Sequence, residues 1–301
     1  MKQDILIGCV ADDFTGASDA ASFLMSKGMK TILFNGKPDG EIPPCQAVVI
    51  ALKSRTQETK SAVADSMAAF TWLKEQGAQH LYFKYCSTFD STKEGTIGPV
   101  VDAMLEAFGE KYTILCPALP VNKRTVENGI LYVDGVPLSE THMKNHPLTP
   151  MWESEIAKLM DPQGKYQTLN VNTELLAKSK EEILAVVDEF GKDKEHFYIV
   201  PDYVNDENGT KIAEVFGDLT VLTGGSGILA PLAAKYQQAQ PAKDSMENGV
   251  DGKGIVLAGS CSKATLEQIA DFQTKGYASY KIDPMAVLSG KETVDTVWDF
   301  V

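Results

Sequence analysis

Short apolar, β-branched runs recur along the chain and alternate with amphipathic stretches. Continuous apolar runs of this length are typical of parallel strands that are buried on both faces. Seven such runs predict strands at residues 5–10, 47–52, 80–85, 112–119, 197–202, 219–224 and 254–259. The stretch ASYKID (278–283) predicts one further short strand.

Between several of these runs, apolar residues are spaced three or four apart, which predicts helices with one buried face. The first such stretch places Ala17, Ala20, Ala21 and Leu24 on one face, and Gly28 suits the cap at its end. The same scheme is repeated in three later stretches, which end at Gly77, Gly109 and Gly191.

Strands that alternate with helices predict an α/β fold, with a mostly parallel sheet flanked by helices. Residues 134–165 interrupt the alternation and predict a loop-and-helix insertion. Residues 239–253 are polar, contain Pro and Gly and lack periodicity, so they predict an interdomain linker. We therefore expect a first domain at 1–238 and only the beginning of a second α/β domain at 254–301, which is too short to close its own core.

The acidic composition limits the classes of partner. A net charge of −13 argues against nucleic acid or an anionic membrane surface as the main partner. The chain has no apolar run of the ~20 residues that cross a bilayer, and its N-terminus lacks a secretion signal. Five scattered cysteines predict reduced thiols in a cytoplasmic protein, and the four histidines form no metal-ligand pattern, so no metal site is predicted.

The residues that follow the predicted strands are unusually polar. Ligands of open parallel sheets bind beyond the carboxyl ends of the strands, so these segments are the candidate site. They are ADDFTGA (11–17), KSRT (53–56), CSTFDST (86–92), PVNKRT (120–125), TGGSG (223–227) and GSCS (259–262). If the strands are parallel, all of these segments open on the same edge, although the last belongs to the second domain.

The chain has only two arginines, against 26 lysines, and both follow an apolar run. A guanidinium binds a carboxylate or phosphate at two points, which a lysine cannot do. Arg55 and Arg124 are therefore predicted to bind an acidic ligand. The alternative is that they pair with Asp12, Asp13 or Asp90 and tie the loops together.

Asp12 and Asp13 lie between a predicted strand and a predicted helix. One carboxylate is enough to cap the helix, so the second is available to hold a sugar hydroxyl or to take its proton. The segment CSTFDST adds hydroxyls and Asp90, although such runs are also common in turns. TGGSG and GSCS precede helical patterns and could present N–H groups to an anion, with a tight turn as the alternative.

In this order, the segments ADDFTGASD, LKSRT, YFKYCSTFDST, CPALPVNKRTV, TGGSG and AGSCS resemble the four-carbon acid sugar kinases. FKYCSTFDST followed by PALPVN most resembles the branch that acts on 3-oxo-tetronates. The resemblance covers Ile5 to about Asp283. It implies an acid-sugar-binding domain, an ATP-binding domain, and transfer of a phosphoryl group from ATP, with Mg²⁺, to the terminal 4-hydroxyl. It also implies that this chain lacks a later glycine-rich segment that completes the nucleotide site.

Together, the loops and the resemblance predict three groups of site residues. The catalytic candidates are Asp13, Asp12 and Arg55, with Asp13 favoured as the base. The predicted contacts to the sugar acid are these three together with Ser54, Thr56, Lys84, Ser87, Thr88, Asp90, Asn122 and Arg124. The predicted contacts to the nucleotide are Gly259, Ser260, Cys261, Ser262, Gly225 and Ser226.

Two other functions stay open from the sequence. A non-catalytic sugar-acid binding module, or an inactive truncated kinase, would use the same loops without a nucleotide. A nicotinamide-dependent dehydrogenase is disfavoured because no GxGxxG follows the first strand. The apolar helix faces leave a homodimer open, and the stereoisomer of the acid is not predicted.

Overall fold

The computed structural model describes residues 5–38, 40–146, 148–239, 252, 254–259 and 263–300. It divides the chain into two compact units, Met1–Met246 and Glu247–Val301. The boundary lies within the segment that the sequence predicts to be a linker.

The first unit is built on one eight-stranded parallel sheet and one small antiparallel sheet. The strands are Ile7–Ala11 (β1), Thr31–Asn35 (β2), Ala47–Ala51 (β3), His80–Lys84 (β4), Tyr112–Cys116 (β5), Arg124–Glu127 (β6), Ile130–Val133 (β7), Val136–Pro137 (β8), Thr168–Val171 (β9), Phe197–Pro201 (β10) and Val221–Gly224 (β11). The large sheet has the order β2-β3-β1-β4-β11-β5-β10-β9, with parallel pairing throughout. The predicted α/β fold with a mostly parallel sheet is confirmed.

Helices connect most of these strands. In the described part of the first unit they are Phe14–Met25 (α1), Thr59–Gln76 (α2), Ile97–Phe108 (α3), Ile156–Met160 (α4), Thr173–Leu176 (α5), Lys180–Phe190 (α6), Asp206–Phe216 (α7) and Leu229–Ala239 (α8). Helix α1 packs on β1, β2 and β3, and α2 packs on β1 and β4. The predicted insertion at 134–165 contains β8, two short 3₁₀ turns and α4.

The strands in the middle of the sheet are covered on both faces. Every residue of β1, β3 and β10 is buried. Because alternate side chains point to opposite faces, complete burial requires packed layers on both sides. Aromatic rings continue the core beyond β4: the ring centroids of Phe83 and Tyr85 lie 5.6 Å apart, and those of Tyr85 and Phe89 lie 5.3 Å apart. This packing anchors the polar loop that follows β4.

The second unit contains the helices Lys263–Thr274 (α9), Pro284–Leu288 (α10) and Val294–Trp298 (α11). The strands predicted at 254–259 and 278–283 are wrong, since no strand is formed at either position in the described part of the unit. Apolar residues form a strand only where a neighbouring strand takes up their N–H and C=O groups. Here Val256 and Leu257 are 79% and 90% exposed.

Among the described residues, none forms a helix that is both long and apolar enough to cross a bilayer.

Candidate functional site

The strand order brings three of the predicted polar loops together. The strands β3, β1 and β4 are neighbours in the sheet and run in the same direction. The loops that follow them, which contain Arg55, Asp12 and Asp90, therefore meet at one edge. Backbone hydrogen bonds fix their relative positions: the carbonyl oxygen of Asp12 accepts from the N–H groups of Ser54 (3.0 Å) and Arg55 (3.2 Å).

A cluster of charged side chains occupies this edge. Arg55 Nε donates to Asp12 Oδ2 at 2.9 Å, and Arg55 Nη2 donates to Asp12 Oδ1 at 2.7 Å. The same Nη2 donates to Asp13 Oδ1 at 2.8 Å. The third nitrogen, Nη1, lies 4.0 Å from Asp90 Oδ2 and has no hydrogen-bond partner among the described residues. The structure thus shows that Arg55 ties the loops together and that Nη1 makes no hydrogen bond to a described residue.

Asp12 and Asp13 differ in burial. The Asp12 side chain is 1% exposed, and Arg55 occupies both of its oxygens. Burial raises the pKa of Asp12 above its ordinary value, while the hydrogen bonds and charge of Arg55 and the charge of Lys84 oppose this rise. Asp13 is 31% exposed, and its Oδ1 also caps α1 by accepting from Gly16 N at 2.9 Å. Its Oδ2 has no hydrogen-bond partner in the described part of the chain.

The end of β4 adds a buried cation to the cluster. Lys84 is 3% exposed, and its Nζ donates to the carbonyl oxygen of Tyr85 at 2.8 Å. A side chain at position 16 would lie 2.9 Å from Lys84 Nζ and 2.3 Å from Asp13 Oδ1. Gly16 therefore makes room for both charged groups, which explains a glycine in the first turn of α1.

The loop after β4 holds Thr88 and Asp90 in an internal network. Thr88 Oγ1 donates to Asp90 Oδ1 at 2.6 Å and lies 2.9 Å from Cys86 Sγ. Thr88 and Asp90 are buried, whereas Ser87 is partly exposed. Asp90 is therefore held by its own loop and by its proximity to Arg55.

A cavity of about 230 Å³ lies beside Arg55. Polar side chains dominate its lining, which consists of Arg55, Thr56, Gln57, Thr92, Glu94, Gly95, Thr96, Leu148 and Thr149. It is smaller than the ~300–1,000 Å³ of pockets that hold drug-sized ligands, so it suits a small polar molecule.

Arg124 lies farther along the same edge. It follows β5, which is separated from β3 by three strands in the sheet order. Four inter-strand spacings put about 19 Å between the axes of β3 and β5. Arg124 Nη1 donates to the carbonyl oxygen of Asn122 at 2.6 Å, and its Nε is buried without a partner among the described residues. Binding of one ligand by both arginines stays a prediction.

The TGGSG loop packs into the interior. Gly225 N donates to the carbonyl oxygen of Cys116 at 3.0 Å, and its own carbonyl oxygen accepts from the Tyr82 hydroxyl. Ser226 is 1% exposed and donates to Asp19 Oδ2. These contacts give the loop a structural role, whereas contact between Gly225 or Ser226 and a nucleotide stays a prediction.

Replacing Gly225 with alanine is expected to lower the free energy of unfolding by about 1–3 kcal/mol, because of overpacking. A Cβ at this position would lie 2.4 Å from the carbonyl oxygen of Pro117, a backbone atom that cannot easily move away. The change is measured as a shift in the urea midpoint. Gly40→Ala is the control, since its Cβ would have no atom within 4 Å. Equal midpoints for the two variants would contradict the close packing of this loop.

The predicted nucleotide loop lies mostly outside the described residues. Ser260, Cys261 and Ser262 are not among them, and Gly259 is exposed. Contact between these four residues and ATP therefore stays a prediction.

The sequence analysis missed two residues at this edge. Asp202 follows β10 and is fully buried, and it joins the β6–β7 turn to α5 by accepting hydrogen bonds. Thr96 lines the cavity beside Arg55 and precedes α3. Asp202 is the last residue of the predicted strand 197–202, so a search at the strand ends could have identified it, whereas Thr96 lies beyond the polar segment that follows the predicted strand at 80–85.

The chain matches the family described as the sugar-binding N-terminal domain over residues 7–232. It is also 41% identical over 280 residues to the 3-oxo-tetronate kinase of Brucella melitensis and 39% identical over 297 residues to that of Haemophilus influenzae. The chain belongs to the four-carbon acid sugar kinase family.

Alignment with these relatives covers nearly all of this family member but only part of each relative. It includes 91% of this chain and 64% of the Brucella kinase, and 98% of this chain and 71% of the Haemophilus kinase. The chain therefore spans about two thirds of the length of the kinases it matches.

Solved structures confirm the fold of this family member. A Haemophilus influenzae protein is 42% identical, with a TM-score of 0.79 over 89% of this chain and 65% of that protein. A Bordetella bronchiseptica protein, solved as a domain-swapped dimer with bound citrate, is 29% identical, with a TM-score of 0.65 over 92% of this chain and 66% of that protein.

Proposed function

We propose that this family member acts in the ATP-dependent phosphorylation of the terminal 4-hydroxyl of a four-carbon sugar acid, with 3-oxo-tetronate as the substrate. The observation that carries the proposal is the Asp12–Arg55–Asp13 cluster, which lies at the carboxyl edge of the sheet beside a small polar cavity. The names of the related kinases and the citrate bound to the Bordetella protein support an acid as the ligand.

The different surroundings of the two aspartates support different roles. Asp12 has both oxygens occupied by Arg55 and is almost inaccessible, so it serves to position the guanidinium. Asp13 is partly exposed, and its Oδ2 is available to accept a proton or a hydrogen bond from a substrate hydroxyl. We therefore propose Asp13 as the base that orients the attacking 4-hydroxyl.

The other predicted contacts divide by location. Thr56 lines the cavity, while Ser54 and Lys84 lie next to the cluster, so these three are proposed to contact the acid or its hydroxyls. Ser87, Thr88 and Asp90 shape the adjacent loop. Asn122 and Arg124 are proposed to contact the acid from the far side of the site.

ATP and Mg²⁺ are the proposed cofactors. Within the described residues, no group of three or more His, Cys, Asp or Glu side chains is placed to hold a metal ion. We propose that Mg²⁺ arrives with ATP and is held mainly by phosphate oxygens and water. Bound ATP–Mg²⁺ supplies the phosphoryl group, and the residues of this chain position the acid and its hydroxyl.

The test is phosphate transfer from ATP–Mg²⁺ to a panel of tetronates and 3-oxo-tetronates, with binding of each acid measured in parallel. We expect transfer to a 3-oxo-tetronate, and Asp13→Asn is expected to lower kcat by about 10²- to 10⁴-fold. Asp188→Asn, an exposed aspartate on α6, is the control. Full activity of Asp13→Asn would contradict its role as base.

The same assay separates the proposed function from its alternative. Acid binding without phosphate transfer would favour a non-catalytic sugar-acid binding module or an inactive truncated kinase. Absence of both would contradict the substrate class. We propose a small sugar acid as the partner and the cytoplasm as the location. A homodimer stays a prediction. The Bordetella protein was solved as a domain-swapped dimer, which makes this prediction worth testing.

A further inference from the structure

The cavity beside Arg55 is closed on one side by the N-terminus of α3. This helix has 12 residues, and Thr96 is its N-cap. The N-terminus of a helix carries partial positive charge and favours anions. Gly95 and Thr96, the two residues that precede the helix, both line the cavity.

Thr96 is an unusual N-cap residue. Threonine is preferred at this position because its hydroxyl accepts a hydrogen bond from the first turn, yet Thr96 makes no side-chain cap bond. Thr96 is only 5% exposed, and its hydroxyl has no partner among the described residues. Because Thr96 lines the cavity and its hydroxyl makes no bond to a described residue, this hydroxyl is available to an acceptor on a ligand.

Arg55 supplies the second donor. Its Nε and Nη2 donate to Asp12 and Asp13. Nη1 makes no hydrogen bond to a described residue and only approaches Asp90 Oδ2 at 4.0 Å, and Arg55 lines the same cavity. A guanidinium nitrogen and a hydroxyl donor at a helix N-terminus together fit an acceptor with two oxygens, such as a carboxylate.

Some of the charges around the cavity would repel a carboxylate. Glu94 lines it, and Asp90 Oδ2 lies 4.0 Å from Arg55 Nη1. Two lysines, Lys93 and Lys144, line an adjoining cavity that shares Thr92 and Glu94 with this one. The positive charges of these lysines reduce the repulsion that Glu94 and Asp90 would exert on a bound carboxylate.

We propose that this cavity binds the carboxylate of the sugar acid, which accepts hydrogen bonds from Thr96 Oγ1 and Arg55 Nη1. The inference rests on the proposed function and adds the orientation of the substrate. Nη1 and the Asp13-bound Nη2 belong to the same guanidinium. In this assignment, the hydroxyl-bearing end of the acid lies on the side of the guanidinium where Nη2 donates to Asp13. Thr96 acts as a specificity residue that selects acids over neutral polyols.

Calorimetric titration without nucleotide tests the assignment. The probes are threonate, the neutral polyol threitol and inorganic phosphate, and the variants are Thr96→Val, Thr96→Ser and Thr96→Ala. Because a hydrogen bond to a charged group is lost, Thr96→Val and Thr96→Ala are expected to weaken threonate binding about 10- to 100-fold. Thr96→Ser should bind threonate as the wild type does, and threitol binding should change little in any variant. Thr210→Val, an exposed threonine on α7, is the control.

Four results would overturn the assignment. Unchanged threonate binding by Thr96→Val and Thr96→Ala would remove the carboxylate from this cavity and leave the proposed function intact. Equal losses for threonate and threitol would show a merely structural role of Thr96. Tighter binding of inorganic phosphate than of threonate, with phosphate binding lost in Thr96→Val, would assign the cavity to a phosphate instead. If the wild-type chain binds no tetronate, the proposed substrate class fails together with this inference.

Discussion

Replacing Asp12 with alanine is expected to lower the free energy of unfolding by about 3–5 kcal/mol, because the change leaves a largely buried guanidinium without its main partner. Arg55 is only 19% exposed, and two of its three nitrogens donate to Asp12. The loss is measured by urea denaturation. We also expect binding of the sugar acid to disappear, since Arg55 would no longer be held in place.

A double-mutant cycle isolates the ion pair from other effects of the substitution. Arg55→Met removes the partner charge, so Asp12→Ala combined with Arg55→Met should cost clearly less than the sum of the two single losses. Asp13→Ala is the matched comparison and should cost only about 1–2 kcal/mol, since it removes a helix cap and one bond to Arg55. Additive losses, or an Asp12→Ala effect no larger than that of Asp13→Ala, would contradict the buried pair.

Asp202→Ala is expected to have an effect of similar size, about 3–5 kcal/mol, for a different reason. The fully buried Asp202 carboxylate accepts from the N–H groups of Asn128 (2.7 Å), Gly129 (3.0 Å) and Thr173 (3.0 Å), and from Asn170 Nδ2 (3.1 Å). Its removal leaves several buried donors without an acceptor, at about 1–3 kcal/mol each before water fills the space.

The control for Asp202→Ala is Asp206→Ala, four residues later in the first turn of α7. Asp206 is exposed, so its loss should cost no more than about 1 kcal/mol. Thermal and urea unfolding of both variants check the comparison. Acid binding is then measured on each variant that stays folded. A small effect of Asp202→Ala would mean that the turn and α5 hold their positions without it.

The strands that could be predicted from the sequence are those in the middle of the sheet. The sequence pattern missed β2 and β9, which are the two edges in the strand order. Edge strands are only partly buried, as the intermediate and exposed residues of Thr31–Asn35 show, so their apolar runs are short. The sequence pattern also missed the β6–β7–β8 hairpins, because the strands β6 and β7 have four residues each and are too short for a periodicity argument.

The candidate site was predicted in part. The rule that ligands bind at the carboxyl ends of parallel strands correctly pointed to Asp12, Asp13 and Arg55 as neighbours, because it needs only the strands and their direction. The sequence could not decide whether Arg55 ties the loops or faces a ligand. The structure shows that it ties the loops through two nitrogens, while the third makes no hydrogen bond to a described residue and lies 4.0 Å from Asp90 Oδ2.

The sequence by itself determined the strand-and-helix alternation, the parallel sheet and the polar loops at its edge, because these follow from local periodicity and from the residues next to each strand. The tertiary structure alone decided the insertion of β11 between β4 and β5, the pairing of Ser226 with Asp19, and the unpartnered Thr96 hydroxyl. Such features depend on contacts between residues far apart in the chain, and local patterns of hydrophobic and polar residues carry no information about which distant groups will meet.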